Sequence, residues 1–231
     1  MIRIAILVDG GFYRKRANHL FGIKNATERA NELEEYCKKH LYQGKTETYL
    51  YRIFYYDCPP CDKNIYHPFL KKNMNLKKSE LYTWMNTFLN ELKYKRKFAL
   101  RMGRLSDNDL GYVIKPEVVK ALFSGKKHFS DITEYDFILD IKQKTMDMKL
   151  GTDIASMVLK KQVDQIILIA GDSDFVPAAK LARREGVDFI LDPMGNSINE
   201  DLNEHTDGIR SKIKYFLPKN TEQNNTETTD T

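Results

Sequence analysis

Two aspartates one residue apart, Asp172 and Asp174, follow the apolar run "QIILIA" at 165–170 in the segment "IILIAGDSDF". Asp9 closes the first apolar run, "IRIAILV", and Asp192 follows a third, "VDFIL". Asp147 and Asp153 lie where a helix is expected to begin. Carboxylates gathered in one cleft repel one another and raise each other's pKa unless a cation neutralises them. With all-oxygen donors and no His or Cys beside them, the hard ions Mg2+ or Mn2+ suit such a group and zinc does not. An ion held in this way orients a water, lowers its pKa and offsets charge on a phosphodiester. Against this stands the ordinary role of an aspartate after a strand, as a helix N-cap or turn residue, which Asp172 could fill alone. What favours chemistry is coincidence: acids at neighbouring strand ends and another at a helix start.

The elements needed to bring these acids together are legible. The runs at 2–8, 165–170 and 187–191 are short, apolar and without helical period, as expected of strands buried on both faces of a parallel sheet. Between the last two, "SDFVPAAKLARREG" gives a helical face and a glycine stop, hence a βαβ unit with a right-handed crossover. In such sheets ligands bind beyond the carboxyl ends of the strands, where these acids fall. A helix over 147–161 has its inward face marked by Leu150, Ile154, Met157 and Val158. At ~100° per residue, Asp147 lies within ~60° of that face's centre and Asp153 about a quarter turn away. Asp147 also gains from the helix dipole in the first turn. Geometry favours Asp147, with Asp153 close behind.

Elsewhere, 26–42 reads as an amphipathic helix, 48–57 as a strand, 58–80 as an inserted loop and "ELYTWMNTFLNELKYK" as a helix. The stretch 97–107 alternates as a half-exposed strand with which "GYVIK" is expected to pair, and "PEVVKALFSG" is a short helix. The chain of 231 residues, 42% hydrophobic, can fill one sizeable α/β core. No apolar stretch approaches the ~20 residues that span a bilayer, and the first strand meets an aspartate too soon for a signal peptide, so a cytoplasmic protein without a membrane partner is expected. The tail from 217 to 231 has little to bury and is expected to be disordered.

The net charge of +5 is unevenly spread: ten Lys or Arg occur between Lys71 and Arg104, including Arg101, against only Glu80 and Glu91. Such a band suits phosphate tracking as well as it suits a solvated insertion. Of the three cysteines, Cys58 and Cys61 in "CPPC" have the spacing of half a zinc site or a redox motif. No second pair accompanies them, and the prolines suit a turn.

Three segments carry a family resemblance: "ILVDGGFYRKR" at 6–16, "QKTMDMKLGTDIA" at 143–155 and "ILIAGDSDFVPAAKLARREGVDFILDPM" at 167–194, with "NEDLNEHTDGIRS" at 199–211 as a closing segment. The chain resembles the NYN domains, the LabA-like branch of the PIN-like nuclease superfamily. The resemblance implies a Rossmann-like PIN fold, a central parallel sheet flanked by helices, with an inserted basic helical and strand segment at about 58–130 of a single domain over 1–216. It also implies divalent-metal ribonuclease chemistry. Asp9 matches the first-strand acid, Asp147 the acid of the Lys-Gly-x-Asp motif, and Asp172 and Asp174 the family's pair, with Asp153 a further recurring acid. These four acids, and Asp153 as a fifth metal residue, are the expected catalytic and metal site. Thr145 stands where many relatives have glycine, and Phe12 where many have asparagine. Ser173, Lys144, Arg14, Arg16, Arg101 and Arg104 are expected to hold the substrate backbone. The partner is RNA, single-stranded or structured; the sequence marks no oligomer interface and leaves a homo-oligomer open. A non-catalytic RNA-binding module is the alternative. A haloacid-dehalogenase-type phosphatase ranks last, because "VDGG" lacks a second acid two residues on.

Overall fold

The computed structural model describes residues 1–217, apart from the side chains of Asp107, Asn108, Asp109, Gln143 and Ser173. The tail expected to be disordered lies, beyond Leu217, outside the described residues.

The chain begins with β1 (Ile2–Asp9) and α1 (Gly10–Phe21), then α2 (Ala26–Lys39) and β2 (Thr48–Asp57). A hairpin of β3 (Asn64–His67) and β4 (Lys72–Asn75) precedes α3 (Glu80–Tyr94) and β5 (Phe98–Met102). A long ribbon follows, β6 (Arg104–Ile114) and β7 (Phe137–Lys144), with α4 (Pro116–Phe123) between its strands. The last part runs α5 (Met146–Leu159), β8 (Gln165–Ile169), α6 (Val176–Arg184), β9 (Asp188–Asp192), α7 (Glu200–Glu204) and β10 (Gly208–Ile209).

Six strands form one sheet in the order β10-β9-β8-β1-β2-β5, every pair parallel. Alternation along the central strands divides the core in two. Ile4, Ile6 and Val8 of β1 join Ile53 and Tyr55 of β2 against α1, α2 and α3. Ala5 and Leu7 join Phe54, Ile166 and Leu168 against α5 and α6. Both faces are therefore covered, which is why the central strands read as unbroken apolar runs. Helix starts follow local chemistry: Asn25 and Glu28 form a capping box on α2, and Asp9 caps α1 by accepting from the Phe12 amide.

The order of the strands fixes where a ligand can enter. From β1 the chain moves one way to β2 and β5 and the other way to β8, β9 and β10, so the direction of winding reverses between β1 and β8. The crevice at the carboxyl ends of those two strands is the topological switch point. Asp9 ends one of them, and Gly171, Asp172 and Asp174 follow the other.

The stretch expected to be one insertion, about 58–130, is divided by the fold. Helix α3 packs on α2, and β5 extends the central sheet beside β2, so 80–102 form a βαβ crossover of the core. What projects is the β3–β4 hairpin and the β6–β7 ribbon, joined where His67 packs on Tyr112 and Phe137 with ring centroids 4.3 and 5.2 Å apart. The "GYVIK" residues do not pair back on 97–107; they continue β6 and pair with β7, Val113 opposite Ile138. Helix α1 and strand β7 carry no expectation in the sequence reading. The first opens with two glycines and buries only Gly10, Tyr13 and Ala17, and the second alternates too weakly to stand out.

Candidate active site

Four acids come from three elements at the switch point. Asp9 lies at the β1–α1 junction, where its Oδ1 accepts from the Phe12 amide at 3.0 Å. Burial pushes its pKa up, the Asp147 carboxylate adds to the rise, and the Phe12 and Gly11 amides with Arg14 pull it partly back. Asp147 stands in the first turn of α5. Its pKa is raised by partial burial, then by Asp174 and then by Asp172. Asp147 thus links the acid of β1 to the pair after β8 through like-charge repulsion, which falls off within a short range. Asp172 and Asp174 are exposed, and Asp172 Oδ1 accepts from the Asp174 amide at 3.1 Å, an Asx turn that fixes the loop. Asp172 therefore does shape the turn, but a turn does not account for the repulsion felt at Asp147.

Asp9 and Asp172 open onto a cleft of about 900 Å³, bordered by Gly11, Arg14, Lys15 and Asn18 of the α1 segment, Ile141 of β7 and Asn199. Its back wall depends on Gly171: a Cβ there would stand 2.5 Å from the Phe12 ring. Phe12 thereby packs over the turn that carries the acid pair.

Asp153 is a correction. Its Oδ2 accepts from the Tyr56 hydroxyl at 2.9 Å and from Arg101 Nε at 2.7 Å, so it ties α5 to β2 and β5 and is not turned to the other four. The same pair engages Arg101, whose guanidinium also sits 5.0 Å from the centre of the Phe54 ring. Arg16 is likewise set to another task, clamping the Met194 carbonyl through Nη2 at 2.8 Å. Asp192, the strand-end acid of β9, is fully buried and accepts from the Tyr36 hydroxyl at 2.6 Å, from His40 at 2.9 Å and from the Met194 amide at 2.8 Å. Burial holds the His40 pKa below its ordinary value of 6.5.

Arg14 lines the cleft but pairs with Asp57, and its Nη1 lies 3.0 Å from the Tyr55 hydroxyl. Arg104 and Lys144 are exposed and stand opposite each other at the base of the ribbon, three residues before Asp147 in the case of Lys144. The side chain of Ser173 lies outside the described residues. Cys58 is buried and its thiol pKa is raised by that burial, the reverse of what an activated redox or metal-binding cysteine shows.

The acid that sequence reasoning missed is Asp57, at the carboxyl end of β2 and 1% exposed. It accepts from the Tyr55 hydroxyl at 2.9 Å and the Cys58 amide at 2.8 Å, and pairs with Arg14. Gly10 is obligatory here, since a Cβ would fall 2.6 Å from Asp57 Oδ2. The signal was present: Asp57 ends a strand of the same sheet, as Asp9 does.

Residues 115–209 match the NYN domain family. The match covers 95 of the 231 residues, from the start of α4 to the end of β10. NYN domains belong to the PIN-like nuclease superfamily, and the matched residues contain Asp147, Asp172 and Asp174, while Asp9 precedes them. Among solved structures the chain is similar to a protein of unknown function from Vibrio parahaemolyticus, at 12% identity over 90% of this chain and 91% of that one, with a TM-score of 0.44. No curated protein matches. Among the described residues, no helix is long and apolar enough to cross a membrane.

The donor set of this site fits a hard divalent ion in its chemistry: four carboxylates, two with raised pKa, and no soft ligand among them. As their side chains are arranged, no three His, Cys, Asp or Glu residues among the described residues enclose a metal position. Asp147, Asp172 and Asp174 are exposed, so packing does not hold their side chains in these rotamers.

Proposed function

We propose that this NYN protein is a divalent-metal-dependent ribonuclease that hydrolyses RNA phosphodiester bonds at Asp9, Asp147, Asp172 and Asp174, with Mg2+ or Mn2+ as cofactor. The observation that carries the reading is the convergence on Asp147 of repulsion shared with Asp9, Asp172 and Asp174, three elements meeting at one switch point. Such a cluster is electrostatically unfavourable by itself and favourable with a cation. When bound, a divalent ion supplies Lewis acidity, lowering the pKa of a water and offsetting charge on the phosphate.

The chain's own groups supply the rest. Asp9 is preset by the Phe12 amide, so one of its oxygens is fixed while the other is turned to the cleft chemistry. Lys15 borders the cleft and offers positive charge to a phosphate, while Arg14 beside it is paired with Asp57. Arg104 and Lys144 face each other across strands, a like-charged pair that costs stability unless an anion lies between or beside them. A strand of RNA reaching from the ribbon base to the α1 segment would relieve that repulsion.

The second reading, an NYN module that binds RNA without cutting it, draws on the open arrangement of the carboxylates. Incubation of labelled RNA and DNA with the protein in Mn2+, Mg2+ or chelator separates the two. Cleavage of RNA that stops in chelator, and falls by at least ~100-fold in Asp9→Asn and Asp172→Asn, is the expected result. Cleavage unchanged in chelator or in both variants would sink the mechanism, and RNA binding without cleavage in any metal would establish the second reading.

A further inference from the structure

Beside the acid cleft lies a second, smaller opening, a slot of about 190 Å³. Its walls come from three separate segments: Pro60 after β2, Tyr82 in the first turn of α3, and Leu105 and Leu139 from the two strands of the ribbon. Its floor is polar, made by Arg14 and the buried carboxylate of Asp57. Arg14 and Ile141 border both openings, so slot and cleft are neighbours.

We propose that the slot receives one unstacked nucleobase of the RNA whose phosphate occupies the acid cleft. This rests on the ribonuclease reading of that cleft. The division of chemistry between the openings matches the two halves of a nucleotide. The cleft offers Lys15 and, through a bound cation, its acids to a phosphate. The slot offers carbon walls and a tyrosine ring to the faces of a flat aromatic ring, and at its end a guanidinium donor and a carboxylate acceptor to the polar edge. A phosphate is disfavoured in the slot by those apolar walls and by Asp57 itself. A base is the part of the substrate already tethered within reach of the cleft. Single-stranded RNA is read by splaying bases into such places, whereas a duplex keeps them stacked. The slot therefore selects unpaired RNA and gives the cut site a base preference.

The test is photocrosslinking, read without cleavage. A short single-stranded RNA containing 4-thiouridine is bound to the full chain in chelator, binding is followed by fluorescence anisotropy, and the crosslinked residues are mapped after irradiation. Two fillers serve as controls: Leu139→Trp within the slot and Leu81→Trp at its margin, where Leu81 is 69% exposed and the fold is not at risk. Crosslinks on Tyr82 or Leu139, reduced about tenfold or more by Leu81→Trp with RNA still bound, are expected. RNA that binds but crosslinks only outside the slot, or equally in wild type and both fillers, overturns the base slot and leaves the ribonuclease reading standing. Failure of the wild type to bind any RNA in chelator overturns the base slot, while the ribonuclease reading stands or falls by the metal-dependent cleavage assay.

Discussion

Asp147 occupies a position where two effects oppose each other. The first turn of α5 stabilises a carboxylate through the helix dipole, while burial and the charges of Asp174 and Asp172 destabilise it. The net direction is upward in pKa, so repulsion wins. A carboxyl whose folded pKa is raised binds its proton more tightly in the folded state, and stability falls as pH rises from its ordinary value through the raised one. In chelator at pH 7, Asp147→Asn is therefore expected to melt at a higher temperature than wild type, and the two melts should converge below about pH 4, where the wild-type acid is protonated. Thermal unfolding across pH measures this; a variant less stable than wild type at pH 7 would contradict the repulsion. The four acids were legible because each follows a strand or opens a helix. Asp153 could not be separated from Asp147 on helical angle alone, since its partner Arg101 comes from β5, a strand whose place in the sheet the sequence did not disclose. Asp57 and Asp192 show the same difficulty in opposite directions. Both end strands, but one lies beside the cleft with Arg14 and the other is sealed among Tyr36 and His40.

At the scale of elements, the junction of β7 and α5 is the most strained part of the site. Thr145 caps α5 in the left-handed region at φ 73°, where a β-branched residue is unfavourable. Glycine takes that conformation without the strain, and Thr145→Gly should stabilise the chain by on the order of 1 kcal/mol. Denaturant unfolding reads the change; an equal loss of stability would mean that the threonine side chain holds the turn. The βαβ unit of β8, α6 and β9 was legible from unbroken apolar runs and a glycine stop. The ribbon was not, because its partners β6 and β7 are separated by α4 and its loops, and pairing over that distance leaves no local signature. The helix α1 was hidden by its sequence of glycines and basic residues, although it supplies much of the cleft's border.

For the whole molecule, the parallel sheet explains why one basic band in the sequence becomes two surfaces. Lys95 and Lys97 precede β5 and so lie at the amino edge, away from the acids. There Lys95 pairs with Glu34 at 2.8 Å and Lys97 sits 3.7 Å from the centre of the Tyr49 ring. Arg101 and Arg104, at the other end of the same strand and beyond it, reach the carboxyl edge. Of these two groups, the second shares an edge with the four acids. The parallel sheet and its carboxyl-edge site were therefore legible from strand runs and their closing acids. The division of the basic band depended on strand order, which no run of residues states. The central claim is that Asp9, Asp147, Asp172 and Asp174 form one cation site and Asp153 stands apart. Manganese titration followed by electron paramagnetic resonance tests it directly. Bound manganese is expected in wild type and in Asp153→Asn, and its loss by about tenfold or more in affinity is expected for Asp9→Asn, Asp147→Asn and Asp172→Asn. Equal manganese affinity in wild type and those three variants, or a loss confined to Asp153→Asn, would contradict it.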